Sequence, residues 1–413
     1  GRAVEDGACQ RRRRSPRSTE DGMLAPRRRR PPVFEKNFFM GEWAGEKVFG
    51  GENMKAAVAM SGGVDSSLTA ALLLERGFDV IGLTMQLTAD DDDLFASDRR
   101  CCSLNEASDA RRVADFLGIS HYVIDLRADF YNYVVKYFVK EYIYGKTPNP
   151  CVECNKFIKF GALFDYAMEL GADYFATGHY ARVERVGDRY QLLKGVDTRK
   201  DQSYVLYNLR AEQLPKIILP LGAQSKDETR RLAEKFNLPV AHKPDSQEIC
   251  FVPNDDYKNF LRSNAPSAPA LEHGYIVDRD RKILGRHEGA AFYTIGQRKG
   301  LGIAAPEPLY VVGTDVERRQ VIVGHSSDLF STTLTVRDAH WIYPVELPLR
   351  AEAKIRYSPR VAPCTVRSID NRIAVEFDEP QRAITGGQSI VFYDDKIVLG
   401  GGKITVDAFT TNG

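Results

Sequence analysis

The chain has 413 residues, is 43% hydrophobic and 27% charged, and carries a formal net charge of +1. Such a composition excludes a largely disordered chain and leaves room for two or three domains with their own cores. No apolar run approaches the roughly 20 residues that cross a bilayer, so no membrane association is expected, and the near-zero net charge neither announces nor forbids a local nucleic-acid surface.

In chain order, residues 1–53 stand apart. They hold two arginine runs, Arg11 to Arg14 and Arg27 to Arg30, with scattered prolines and no periodicity. They are expected to be a disordered basic extension preceding a core that starts at Met54. An organellar transit peptide is the alternative, although Glu5, Asp6, Glu20 and Asp21 are out of keeping with an acid-poor leader. From Met54 strands and helices alternate: the apolar AAVAM, a glycine turn, the helix-like SSLTAALLLERG, the strand-like DVIGLTM, a helix over 106–117, the strand-like HYVIDL, a helix over 160–170 and the strand-like ADYFATGHYARV. Asp90 to Asp93 read as an exposed loop. This alternation predicts an α/β domain over 54–264 with a parallel sheet whose ligands sit at the carboxyl ends of its strands. Leu214 to Pro239 is helix-rich, so a helical insertion is expected at about 215–245. Short strands and glycine turns over 265–335 predict a small central domain. Alternating segments such as RAEAKIRY, APCTVRSI and RIAVEFD over 336–413 predict a C-terminal β-barrel.

Between AAVAM and the first helix lies SGGVDSS, Ser61 to Ser67. Its glycines allow close backbone approach, the helix start and its dipole favour anions, and Ser61, Ser66 and Ser67 offer hydroxyls, so the segment is suited to a polyphosphate. Asp65 cannot attract phosphate itself and is assigned to a bridging Mg2+. The loop lacks the lysine of the commonest nucleotide-binding loop. It resembles the pyrophosphatase loop of N-type ATP pyrophosphatases, a superfamily that adenylates substrate oxygens.

Seven cysteines scattered over a long chain do not form a secreted disulfide framework, so a reducing, cytoplasmic setting is expected. Cys151 and Cys154 stand in a C-x-x-C spacing behind Pro148 and Pro150, and Cys250 lies in DSQEICF. Such thiols can be a redox pair, three ligands of a metal or iron–sulfur cluster, or a sulfur-carrying thiol with its partner. Cys101 and Cys102 are read as structural, Cys364 as a barrel-core residue, and His179 as a hydrogen-bonded structural residue.

Taken together, AMSGGVDSS, CCS with DARRVADFLGI, GKTPNPCVECN, ATGHYARV, KDQSYVLY, DSQEICFVP and YTIGQRKGLG closely resemble the tRNA-specific 2-thiouridylase family. The resemblance implies AMP transfer from ATP to the C-2 oxygen of a wobble uridine, then replacement of that oxygen by sulfur. It implies nucleotide contacts at Ala59, Met60, Ser61, Gly62, Gly63, Val64, Asp65, Ser66, Met85 and Gly178. It makes Cys250 the persulfide carrier and Cys154 the nucleophile that frees the sulfur as a Cys154–Cys250 disulfide forms. Because Cys151 stands where some members carry Asp, a four-iron cluster on Cys151, Cys154 and Cys250 is an equal rival. Asn149, Pro150 and Cys151 are placed by the resemblance beside the target base, and Lys200, Asp201, Gln202, Arg356 and Tyr357 against tRNA. The expected partners are tRNA and a sulfur-donor protein, a cysteine desulfurase or a sulfur relay, with the chain itself a monomer. Two rival readings remain: an amide-forming synthetase of the same superfamily, and a non-catalytic tRNA-binding sulfur carrier.

Overall fold

The computed structural model describes residues 54–88, 104–245, 249–370 and 372–406. The basic extension, the Asp90 to Asp93 run, Cys101 and Cys102 lie outside them. β1 (Lys55–Ala59) buries Ala56, Ala57 and Val58 completely, as suits the central strand of a parallel sheet covered on both faces. α1 (Val64–Glu75) is apolar around most of its circumference and is correspondingly buried. β2 (Asp79–Gln86), α2 (Leu104–Leu117) and β3 (Ser120–Asp125) follow. Alternate residues divide between two cores: Ala57, Ile81 and Leu83 face one, and Ala56, Val58 and Val80 the other.

Beyond β3 come α3 (Arg127–Phe130), a π-helical turn over Tyr131–Val135, α4 (Lys136–Ile143) and α5 (Pro150–Glu153). A π-helical stretch, Cys154–Leu163, continues into α6 (Phe164–Glu169). ADYFATGHYARV is not one strand. It divides into β4 (Tyr174–Ala176), in the parallel sheet, and β5 (Ala181–Val186), which pairs with β6 (Arg189–Lys194) as an antiparallel hairpin. Nor is 215–245 a helical insertion: β7 (Ile217–Ile218) is the edge strand of the parallel sheet itself, followed by the single α-helix α7 (Lys226–Lys235). α8 (Tyr257–Asn264) then leads out of the α/β region.

The parallel sheet runs β3-β2-β1-β4-β7. Its order reverses between β1 and β4, and the crevice outside the carboxyl ends of strands at such a switch point is where open α/β sheets bind ligands. SGGVDSS leaves β1 and Thr177–His179 leaves β4 at that position.

A second sheet comprises β8 (Gly274–Val277), β9 (Ile283–His287), β10 (Tyr310–Asp315) and β11 (Gln320–Gly324), in the order β10-β11-β8-β9. The last six strands are β12 (Phe330–Trp341), β13 (Leu349–Lys354), β14 (Ala362–Ile369), β15 (Arg372–Arg382), β16 (Ser389–Asp394) and β17 (Ile397–Thr405). Pairing of β12 with β17 closes them into a barrel, and the β5–β6 hairpin of the α/β region extends its sheet from β17. Cys364 is fully buried in the barrel core, where burial pushes its thiol up to about 12.

Candidate active site

The loop after β1 is shaped by its own hydrogen bonds. Gly62 takes φ +69°, a conformation that favours glycine. Gly63 caps α1 without a side-chain partner for the helix amides, so the anion-favouring helix start carries no capping side chain. Ser66 Oγ accepts from the Ser61 amide at 3.1 Å, and Ser67 Oγ donates to the Gly63 carbonyl at 2.8 Å. Ser66 and Ser67 are buried, so these hydroxyls build the loop rather than face a ligand, and Ser61 is the loop serine that is partly exposed. Met85 is packed in the core. Gly178 abuts the start of α1, where a Cβ would come within 2.8 Å of the Asp65 backbone, which is why the segment after β4 carries glycine there.

Asp65 is not an open carboxylate. Lys226 Nζ lies 2.7 and 2.9 Å from its two oxygens, and Tyr180 donates to one of them at 2.9 Å. Burial, then the Asp65 charge, pushes the Tyr180 phenol up, so it stays a donor. Lys226 begins α7, whose start is fixed by a capping box between Ser225 and Glu228. Its ammonium also meets Asp245 at 2.9 Å, a carboxylate shared with Lys200 at 3.1 Å and Arg230 at 2.8 Å. Burial raises the Asp245 carboxyl, but the bonds from Lys226 and Lys200 outweigh it and hold it below its ordinary value. Lys243 reaches the Gly62 carbonyl at 3.3 Å and Asp109 at 2.9 Å. The lysine missing from the loop's sequence is therefore supplied from outside it, by Lys226 and Lys243. The SKDE capping-box pattern was the sequence signal for a helix start there. With Asp65 engaged by an ammonium on both oxygens, the donor set does not fit the expected Mg2+ site.

Asn149 caps α5 by accepting from the Cys151 amide at 3.1 Å, and Pro150 is buried at the first helical position. Their side chains thus hold the cysteine helix. Cys151 is exposed, and Cys154 and Cys250 are half-buried. Cys250 is seated by Phe251, which is buried and packs edge-on against Phe130 and Phe138 at 5.5 and 5.1 Å. Among the described residues no three His, Cys, Asp or Glu side chains form a metal-binding group. His179 is buried, with Nδ1 2.7 Å from Thr177 Oγ1, in the structural setting expected for it.

Residues 200–202 divide three ways. Lys200 joins the cation group around Asp245. Asp201, expected against tRNA, is instead buried: it accepts from Lys354 of the barrel at 2.7 Å and from Ser203 Oγ at 3.0 Å. A carboxylate so deep survives only when paired and hydrogen-bonded, which explains its position. Gln202 accepts from the Tyr180 amide at 2.9 Å. Arg356 donates to the carbonyls of Arg382 and Ala383, while Tyr357 is half-exposed with its ring 6.0 Å from that of Tyr204. Burial, then the Asp201 charge, raises the Tyr357 phenol.

Three family models match: a tRNA methyl transferase HUP domain over residues 54–254, a tRNA methyl transferase PRC-barrel domain over 258–325, and an aminomethyltransferase β-barrel domain over 331–404. The tRNA-specific 2-thiouridylase MnmA of Carboxydothermus hydrogenoformans is 49% identical over 356 residues, 85% of this chain and 97% of that protein. That of Clostridioides difficile is 47% identical over 357 residues, 85% of this chain and 98% of that protein. Among solved structures, a 4-thiouridine synthetase–RNA complex with bound ATP overlaps at 19% identity and a TM-score of 0.33, covering 52% of this chain and 51% of that one, a likeness too slight to argue from. On identity sustained over nearly the full length of these relatives, with the family models spanning all three sheets, the chain belongs to the tRNA-specific 2-thiouridylase MnmA family.

Proposed function

We propose that this chain is an ATP-dependent tRNA-uridine 2-sulfurtransferase. The observation that carries the reading is one hydrogen-bonded path: Asp65 of the loop is bound by Tyr180, whose amide is held by Gln202, next to the Asp201 that pairs with Lys354 three residues from Tyr357. The nucleotide loop and the C-terminal barrel are thus tied into one assembly. A non-catalytic carrier has no use for that connection, and an amide-forming synthetase has none for the cysteines.

ATP is the first substrate. Its phosphates lie at the start of α1, neutralised by Lys226 and Lys243. The uridine C-2 oxygen attacks the α-phosphorus, the bond to the β-phosphate oxygen breaks, and pyrophosphate leaves. AMP on that oxygen converts a poor leaving group into a good one. Sulfur then arrives as a persulfide on Cys250, loaded by a sulfur-donor protein. The terminal sulfur attacks C-2, losing its proton, and the C-2–oxygen bond breaks to release AMP; the Cys154 thiolate then attacks the Cys250 sulfur, and the bond between that sulfur and the one now on C-2 breaks to leave 2-thiouridine. The products are 2-thiouridine and a Cys154–Cys250 disulfide, which an external thiol must reduce. No step is routed through a metal or cluster. No described helix is long and apolar enough to cross a membrane, and a monomer working in the cytoplasm accords with the reading.

The test is a reaction of the purified chain with ATP, tRNA and a persulfide donor, reading pyrophosphate and tRNA 2-thiouridine. Cys154→Ser and Cys250→Ser are expected to retain tRNA-dependent pyrophosphate release and lose thiolation. Absence of tRNA-dependent pyrophosphate release by the unaltered chain refutes the reading.

A further inference from the structure

Arg337 and Lys403 face each other across the seam where β12 and β17 close the barrel. Directly opposed residues on adjacent strands project side by side on one face, and two cations so placed repel. Each is met by a carboxylate from the α/β region. Lys403 Nζ lies 3.1 Å from Glu153, and Arg337 lies 2.8 Å from Glu141. Both carboxylates are buried, with side chains 4% and 6% exposed. The Lys403 ammonium also sits 3.9 Å above the Tyr137 ring, on the helix carrying Glu141. The two cations are thus each met by a buried carboxylate from the α/β region, while the other terminal nitrogen of Arg337 also pairs with the exposed Asp338 at 3.3 Å; the buried carboxylates depend on the cations for compensation.

Glu153 immediately precedes Cys154 and lies two residues after the exposed Cys151. The segment joining the two carboxylates is tied at further points. Thr147 donates its amide to the Gly386 carbonyl at 2.9 Å and accepts from Gln388 at 2.7 Å, and the Gly145 carbonyl accepts from Thr314 at 3.1 Å. Beyond its own Asn149 cap, the cysteine helix, a single turn continued by π-helical backbone, is therefore located by contacts from the barrel and, at Thr314, from the second sheet.

We propose that Lys403 and Arg337 are positioning residues for sulfur transfer: the barrel seam latches the helix bearing Cys151 and Cys154 through Glu153 and Glu141. The catalytic meaning of the latch rests on the thiolation reading; its existence does not. The barrel's role then extends beyond holding RNA, because it sets where the nucleophile stands.

The intact chain, without ATP or tRNA, is treated with iodoacetamide for timed intervals and each cysteine is read by peptide mass spectrometry. In Glu153→Gln/Lys403→Met, which removes the pair without changing net charge, Cys154 is expected to react roughly fivefold faster or more, as a locally loosened helix does. Cys364, fully buried in the barrel, stays protected as the fold control. Lys403→Arg keeps the rate of the unaltered chain. An unchanged Cys154 rate with Cys364 protected overturns the latch. If Cys364 opens, Glu141→Gln/Arg337→Met is judged by the same criterion, and opening of Cys364 in both variants also overturns it, because the cations would then be holding the barrel itself. With ATP, tRNA and a persulfide donor, the double variant should release pyrophosphate within about twofold of the unaltered chain and form at least roughly tenfold less 2-thiouridine. Equal loss of both steps overturns the positioning role. Lack of pyrophosphate release by the unaltered chain refutes the thiolation reading and leaves the alkylation result to decide the latch alone.

Discussion

Lys226 and Asp65 stand 161 residues apart in the chain and 2.7 Å apart in the fold, at the start of α7 and the first turn of α1. The pairing sets a lysine at a loop that has none of its own and holds a carboxylate that would otherwise repel phosphate. Lys226→Met is expected to lower tRNA-dependent pyrophosphate release by about 10²-fold, the scale for losing one preorganised charge at a developing anion. tRNA affinity should be unaffected and Lys226→Arg should retain part of the activity. Pyrophosphate kinetics decide it, and an undiminished rate would remove Lys226 from the nucleotide site.

The buried pair Asp201–Lys354, with side chains 3% and 4% exposed, joins the α/β region to the barrel. Lys354→Met leaves Asp201 buried and uncompensated, a loss of about 3–5 kcal/mol. Asp201→Asn/Lys354→Met should recover much of that loss. Calorimetric melting reads both variants, and a Lys354→Met transition coinciding with that of the unaltered chain would show that the pair contributes nothing.

Which parts of this architecture are readable along the chain follows from how far apart the partners lie. AAVAM-SGGVDSS-helix is legible because a buried strand, a glycine turn and an apolar helix are all local signals, and Cys364 is legible because alternation in APCTVRSI puts it on one face. ADYFATGHYARV reads as one strand because nothing local reveals that Gly178 must pass against Asp65 while the chain crosses from one sheet to another. Asp201 reads as a surface residue because its partner is 153 residues away, and Lys243 is invisible as a loop residue for the same reason, at 181 residues from Gly62. The capping box at Ser225 marks the beginning of α7, but not what its first lysine touches.

His179 gives a pH dependence with a definite sign. Burial first, and Lys159 second, hold its imidazole well below the ordinary 6.5. As pH falls through about 6.5 only the unfolded chain takes up the proton, so stability is greatest above that value and declines below it until the folded-state value is reached. Urea midpoints at about pH 7.5 and 5.5 should differ more for the unaltered chain than for His179→Gln. Equal differences would mean that His179 is not held neutral by the fold.

Arg356 and Tyr357 follow Lys354 closely on the barrel, and the two side chains are held differently. Arg356 is oriented by the Arg382 and Ala383 carbonyls, which accept from one of its terminal nitrogens. Tyr357 is braced by the Tyr204 ring, whose own hydroxyl donates to the Ser389 carbonyl at 2.8 Å, and keeps half its surface exposed. An oriented guanidinium suits phosphate, and a braced, exposed ring suits an unstacked base. Salt therefore separates them. Arg356→Ala should weaken tRNA binding and reduce the magnitude of the slope of log affinity against log salt by about 1. Tyr357→Ala should cost about 1–3 kcal/mol of binding at every salt concentration with the slope unchanged, and Tyr357→Phe should bind like the unaltered chain. Filter binding over a potassium chloride series measures both. If Tyr357→Phe were as damaging as Tyr357→Ala, the hydroxyl rather than the ring face would be the contact. If Arg356→Ala left the slope intact, its guanidinium would serve the barrel alone.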